Sequence, residues 1–267
     1  MKKSFLFIAF TVLALAVCGS ESKSKRIPVL VGHESQVQLD GVNELSGICL
    51  SKNGDFLFGV DDEGGVYRIN IDDNYTFSKE WDKSGEMEGL AINPKNGDLY
   101  IGLEDAKKIA YKISLTDSFY DYEHAEKIKI DGELLNLGND GLEGITFYKD
   151  NLYLGTQTGA NLIRYNLKTK QLTKHTSLKN VKGCDIKEIA GLDYDEENDW
   201  LWVIDSEKFK IYLFNGKADE LLASYYIGDT VKKNPEGLCV DKKRKCIWVC
   251  EDILENSLLH KYSFAYK

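Results

Sequence analysis

Histidine is scarce in this 267-residue chain: four residues, scattered at His33, His124, His175 and His260. That spacing excludes zinc-hydrolase signatures such as H-E-x-x-H. No G-x-x-x-x-G-K-[ST] occurs, so there is no phosphate-cradling loop. No G-x-S-x-G occurs, so there is no nucleophile elbow. Six cysteines are present but no Cys-x-x-Cys, which leaves a dithiol redox motif without support. Basic excess is also missing: 43 acidic against 34 basic side chains give a net charge of −9. A nucleic-acid binder would show a basic stripe, and an anionic membrane surface would not attract this domain. Helix-length amphipathic segments are absent; only residues 115–124 leave room for a turn or short helix.

At 43% hydrophobic and 29% charged the chain is not disordered, and it is long enough to bury a core without disulfides or a structural metal. It begins with an address. Met1-Lys2-Lys3 precedes Phe5 to Val17, 13 residues with only Thr11 polar. This is the n-region and h-region of a secretory signal, too short to span a bilayer. Leu15-Ala16-Val17-Cys18 resembles the lipobox of bacterial lipoproteins, in which the mature chain starts at a lipid-modified cysteine. Val17 departs from the small residue usual there, and an ordinary cleaved signal peptide is the alternative. Residues 1–17 thus read as signal peptide, 18–34 as a lipid-anchored tether and 35–267 as the folded domain. Loss of Lys2 and Lys3 takes the net charge from −9 to −11. Export permits disulfides, and Cys239 and Cys246 flank a turn where they would face each other across a hairpin. Buried free thiols are the simpler reading.

The domain repeats. A phrase ending in glycine and an apolar strand recurs as Glu44-Leu45-Ser46-Gly47-Ile48, Glu86-Met87-Glu88-Gly89-Leu90 and Gly141-Leu142-Glu143-Gly144-Ile145. It returns as Glu188-Ile189-Ala190-Gly191-Leu192 and Asn234-Pro235-Glu236-Gly237-Leu238. The glycines are spaced by 42, 55, 47 and 46 residues. A second strand follows each phrase, as in Leu57 to Asp62 and Leu201 to Ser206. A third alternates in character, as in Gly65 to Asn70, and a weaker fourth is visible in four units. Four short strands in a period of ~40–50 residues define a β-propeller. The fold is therefore all-β, a single propeller of five four-stranded blades, with six as the alternative. The last unit lacks a fourth strand, and Ser35 to Leu39 is spare; that N-terminal strand is expected to close the ring.

The runs L-S-G-I at 45–48, L-F-G-V-D-D-E-G-G-V-Y-R-I at 57–69, E-G-L-A at 88–91 with G-D-L-Y-I-G-L-E at 97–104, and L-W-V-I-D-S-E at 201–207 resemble the bacterial SdiA-regulated family. These are exported propellers loosely related to NHL-repeat and phytase-like propellers. The resemblance implies a propeller with calcium-binding positions and no settled activity.

Propeller geometry puts strand-one starts and strand-two ends on one face, and both are acidic here. Strand-one starts carry Glu44, Glu86, Glu88, Asp140, Glu143, Glu188 and Glu236; strand-two ends carry Asp61, Asp62, Glu104, Asp105, Asp205, Glu251 and Asp252. Converging carboxylates repel unless protons or a cation offset them. Calcium takes 6–8 oxygen ligands, which such a ring supplies. The candidate metal ligands are Glu44, Glu88, Glu143, Glu188 and Glu236, with Asp61, Asp62, Glu104 and Asp205 behind. The plainer alternative is that each glutamate bonds backbone N–H groups of a neighbouring blade. Trp202 and Trp248 read as inter-blade core, and Tyr120 and Tyr122 as the best exposed aromatic contact.

The leading functional expectation is a lipid-anchored, exported binding propeller of the cell envelope with a calcium-holding acidic mouth. It would engage an envelope ligand or protein and no nucleic acid. The alternative is a calcium-dependent phosphoesterase or lactonase of the phytase-like type, with Lys107, Lys108, Lys208 or Lys210 offsetting phosphate charge.

Overall fold

The computed structural model describes residues 26–104, 109–130 and 141–266. Signal segment, Cys18, Asp105, Lys107, Lys108 and Asp140 lie outside the described residues. The chain opens with β1 (Pro28–Gln38), which takes in part of the expected tether. Blade one follows as β2 (Leu45–Leu50), β3 (Phe56–Asp61), β4 (Gly65–Asn70) and β5 (Phe77–Asp82). Blade two is β6 (Met87–Ile92), β7 (Leu99–Leu103), β8 (Ile109–Thr116) and β9 (Phe119–Lys129). Blade three is β10 (Gly144–Tyr148), β11 (Asn151–Thr156), β12 (Asn161–Asn166) and β13 (Gln171–Ser177). Blade four is β14 (Gly191–Asp195), β15 (Trp200–Asp205), β16 (Lys210–Asn215) and β17 (Leu221–Tyr226). Blade five is β18 (Asn234–Asp241), β19 (Cys246–Asp252) and β20 (Leu258–Tyr266).

Each sheet is antiparallel and sequential, and β1 supplies the missing outer strand of blade five beside β20. Five blades thus form the ring, not six, and chain start and chain end are joined by a ladder rather than by a loop. Residues 26–266 hold every strand of that closed ring. The 3-10 turn Leu178–Asn180 is the sole helical element among the described residues. Residues 115–124 hold the first of the two expected features, a tight turn that carries β8 into β9.

The core lies between blades. Trp200, Trp202 and Ile204 of blade four pack with Ile247, Val249 and Phe264 of blade five. Trp248 of blade five packs with Ile48, Leu57 and Ile69 of blade one. Trp202 and Trp248 are each 1% exposed, as the aligned repeat positions foretold. Side chains of this size each contribute ~1.5–3 kcal/mol by burial, so inter-blade packing holds the ring. Tyr120 and Tyr122 are not an exposed platform: Tyr120 meets Phe58 edge-on and Tyr122 stacks on Trp81. The five described cysteines are free. Cys239 faces Trp248 across the ladder and Cys246 faces Asp241, so the two thiols do not face each other and the simpler reading, buried free thiols, holds for them.

The repeated glycine has a steric cause. A Cβ on Gly47 would stand 2.1 Å from the backbone oxygen of Glu88, and one on Gly89 would stand 2.4 Å from that of Glu143. Each glycine therefore admits the next blade's innermost strand against its own backbone.

Candidate functional site

Register about that glycine decides where each acidic side chain goes. One residue before it stand Ser46, Glu88, Glu143, Ala190 and Glu236, one from each blade. Ser46, Glu88, Glu143 and Ala190 line the axial constriction. Three residues before it stand Glu44, Glu86, Gly141, Glu188 and Asn234. Alternation along a strand separates the two sets by a full pleat repeat, so the expected five-glutamate ring combines two different positions.

The inner ring is thus three glutamates, one serine and one alanine. Glu88 and Glu143 are 6% exposed, and Glu236 is half-buried. Burial, followed by the charges of Glu143, Asp62, Glu236 and Glu104, pushes the Glu88 carboxyl up to about 11. Burial, then Asp252, Asp62 and Glu143, pushes Glu236 up to about 9. Asp62 is raised by burial too, and held down in part by the Ser46 hydroxyl and the Glu88 carboxyl. Ser46 donates to Asp62 across the mouth and lies 3.0 Å from the Glu44 carbonyl oxygen. Glu44 is raised by burial and by Asp62 and Asp252, and it sits at φ +47, in the left-handed region that a glutamate rarely adopts. One oxygen of Asp252, Oδ1, is buried without a hydrogen-bond partner among the described residues. Two unit charges ~4 Å apart repel by ~4 kcal/mol in a protein-edge environment. Glu88 and Glu236 therefore keep their protons at neutral pH.

The other expected acidic residues do different work. Asp61 accepts from the Gly65 N–H at 2.5 Å and from the Tyr67 hydroxyl at 2.6 Å. Asp205 accepts from the Lys187 and Lys208 N–H groups at 2.7 and 2.9 Å. Glu188 accepts from Ser206 and from the Glu207 N–H at 3.0 Å. Glu251 accepts from the Lys232 and Lys233 N–H groups at 3.0 and 2.6 Å and pairs with buried His260 at 2.7 Å. These four stitch turns, mostly within their own blade, which is the plainer alternative in a modified form. Glu104 stays near the mouth, in a cleft of about 480 Å3 shared with Asp62, Glu86, Tyr111 and Lys127. Of the lysines considered for phosphate, Lys210 is paired to Asp185 at 2.6 Å. Every side-chain donor of the mouth is an oxygen, which suits a hard cation. As they stand, no three His, Cys, Asp or Glu side chains among the described residues form a ready metal cage.

At the glycine level the channel narrows to about 10 Å3 between Ile48, Leu90, Ile145, Leu192 and Leu238. Space of that size admits at most one water. Beyond it the channel widens again to a cavity of about 350 Å3 on the opposite face, walled by Leu50, Ile92, Phe147 and Leu192 and floored in part by Asp193. Nothing in the acidic pattern announced this second opening.

Fold and mouth together define a five-bladed β-propeller with an acidic axial entrance. A family model described as SdiA-regulated matches residues 30–252, and the chain belongs to that family. No curated protein sequence matches it. Among solved structures, glutaminyl cyclase from Myxococcus xanthus aligns with TM-score 0.64 and 11% identity, over 90% of this chain and 98% of that one. A luciferin-regenerating enzyme aligns with TM-score 0.53 and 12% identity, over 87% of this chain and 95% of that one. A chain of a nidogen/laminin complex aligns with TM-score 0.51 and 13% identity, over 78% and 72%. Two of these structures are of enzymes and the third is of a nidogen/laminin complex, so the likenesses speak to fold alone.

Proposed function

We propose that this chain is an exported, lipid-anchored binding propeller of the cell envelope, whose acidic channel mouth takes up calcium or a similar hard cation and through it a ligand. The observation that carries the reading is the convergence of Glu88, Glu143 and Glu236 from three blades on one axis, where the charged groups acting on Glu88 are all carboxylates. A side-chain set of this kind is costly unless it is discharged, and a divalent cation discharges it better than protons do at neutral pH. Uptake requires Glu88 and Glu236 to give up their protons, so affinity rises with pH and binding releases protons. Support for export and anchoring comes from the Phe5–Val17 segment and Cys18.

The hydrolase alternative draws on one feature, Lys127 beside Glu86 and Glu104 in the cleft next to the mouth. A phosphate bridged by a cation would meet its charge there. Calorimetric titration of calcium into residues 26–267, wild type and Glu143→Gln, tests the shared premise. Binding weakened at least about tenfold in the variant supports a mouth site. Absence of binding at millimolar calcium removes both the cation and the calcium-dependent hydrolase.

A further inference from the structure

The opening on the opposite face is chemically unlike the mouth. Its walls come from the far ends of the same innermost strands. Leu50, Ile92, Phe147 and Val240 surround it, and Leu192 and Leu238 close its inner end. A volume of about 350 Å3 with an apolar lining is the range in which small molecules are held.

Two polar elements break the apolar surface: Asp193 inside, and a rim that carries lysines together with the carboxylates of Asp195 and Glu196. Asp193 stands two residues after its glycine, at the position held by Cys49, Ala91, Thr146 and Cys239 in the other blades. Thr146 and Asp193 both use this position to accept the next blade's backbone N–H, at 3.1 Å from Tyr194 and 2.7 Å from Val240. A threonine is sufficient for that bond, so stitching does not call for a carboxylate. Among the described residues only backbone N–H groups donate to Asp193, and its carboxyl opens on the cavity. The second element is the rim, built from the turns between first and second strands. Lys52, Lys149 and Lys242 line it, from blades one, three and five. Lys242 is tied to Asp195 and Glu197 at 2.9 and 3.0 Å. Lys149 instead lies over the Tyr148 ring, 4.8 Å from its centroid, in the field of Asp199 and Glu196 but in no ion pair among the described residues.

We propose that this cavity binds a small apolar amino-acid-type zwitterion, such as a short peptide, with its ammonium on Asp193, its side chains on the apolar walls and its carboxylate toward Lys149 at the rim. A plain apolar molecule would leave Asp193 facing hydrocarbon, which is costly for a polar group without a partner. An apolar anion would bring its charge past that carboxyl, and a plain cation would pass the lysines. The zwitterion satisfies both ends and the walls. Burial, the largest influence on Asp193, pushes its carboxyl up to about 6; Asp195 adds to the rise, while the Val240 and Tyr194 N–H groups and Lys242 oppose it, and the buried thiols of Cys49 and Cys239 are its other titratable neighbours. An ammonium partner stabilises its ionised form, so binding strengthens from pH 5 to pH 7.

The test is calorimetry on residues 26–267 in calcium-free buffer, which makes the outcome independent of the mouth. The probes are leucyl-leucine, N-acetyl-leucyl-leucine and leucyl-leucinamide. Leucyl-leucine is expected to bind, acetylation and Asp193→Asn each to weaken it at least about tenfold, and amidation and Lys149→Gln each about threefold. Asparagine still accepts the Val240 N–H through its amide oxygen, so the variant is expected to melt within a few degrees of wild type. Should that variant fail to fold, the acetylated probe on wild type carries the same test. No heat from leucyl-leucine up to about 10 mM, or acetylated and free peptides binding alike, overturns the proposal.

Discussion

The two ends of one channel are made from the same five strands, yet they present opposite chemistry. At the mouth, the position before each glycine brings Glu88, Glu143 and Glu236 together, with Asp62 and Asp252 behind, and burial holds protons on at least Glu88 and Glu236 at neutral pH. A few residues further along, the same strands wall a largely apolar cavity with Asp193 inside and a rim of mixed charge, lysines beside Asp195 and Glu196. The constriction between them leaves room for at most one water. A repeat therefore fixes a scaffold and leaves each end of it free to carry its own set of side chains.

The ring that separates the ends is the most fragile part. Gly89→Ala would drive a methyl group to 2.4 Å from the Glu143 backbone oxygen. Backbone cannot yield as a flexible side chain does, so a loss of ~3 kcal/mol or more is expected, read as a collapse of the melting transition. Glu251→Ala comes next. It strands two N–H groups and the buried His260 ring, and about 3 kcal/mol of stability should go with it.

Two glutamates then give opposite pH responses. The charge-assisted bonds of Glu251, chiefly from His260, hold its carboxyl below the ordinary 4.5 against the effect of burial. Its contribution is present above that value and lost as pH falls through the folded-state value. Glu88 is raised to about 11, so the unfolded chain sheds this proton above about 4.5 while the folded chain keeps it. The unfolded state binds fewer protons, and stability falls as pH rises from about 5 to 9. Glu88→Gln removes that penalty. Its melting temperature at pH 8 should exceed wild type by a few degrees in calcium-free buffer, about 1 kcal/mol, with little difference at pH 5. The smallest effect is expected at Glu188→Gln, about 1 kcal/mol of lost turn stitching with calcium affinity unchanged. A calcium-binding defect equal to that of Glu143→Gln would return Glu188 to the mouth.

The propeller was legible because its repeat is carried by residues that packing cannot spare. Gly47, Gly89 and Gly191 are dictated by backbone contact, and Trp202 and Trp248 fill equivalent inter-blade space. The spare N-terminal strand followed from counting strands. The site was half legible. Glu88, Glu143 and Glu236 do share one repeat position, but Glu44 and Glu188 were grouped with them although they stand three residues before the glycine rather than one. Aligning on glycine would have separated them. Asp61 and Asp205 look like ligands in sequence because turn-stitching and metal binding draw on the same residue type. The far cavity was missed because no motif marks it. Its one signal was Asp193, a carboxyl where the other blades hold cysteine, alanine or threonine. Tyr120 and Tyr122 were misjudged because an outer strand shows no clear alternation, and their cover, Phe58 and Trp81, comes from the neighbouring blade one.

The central claim, that the mouth exchanges protons for a cation, is tested most directly by melting residues 26–267 at pH 5 and pH 8 with and without millimolar calcium. The account predicts lower stability at pH 8 than at pH 5 in calcium-free buffer, and a calcium-induced rise confined to pH 8 that Glu88→Gln diminishes. Equal stability at both pH values together with no response to calcium would contradict it.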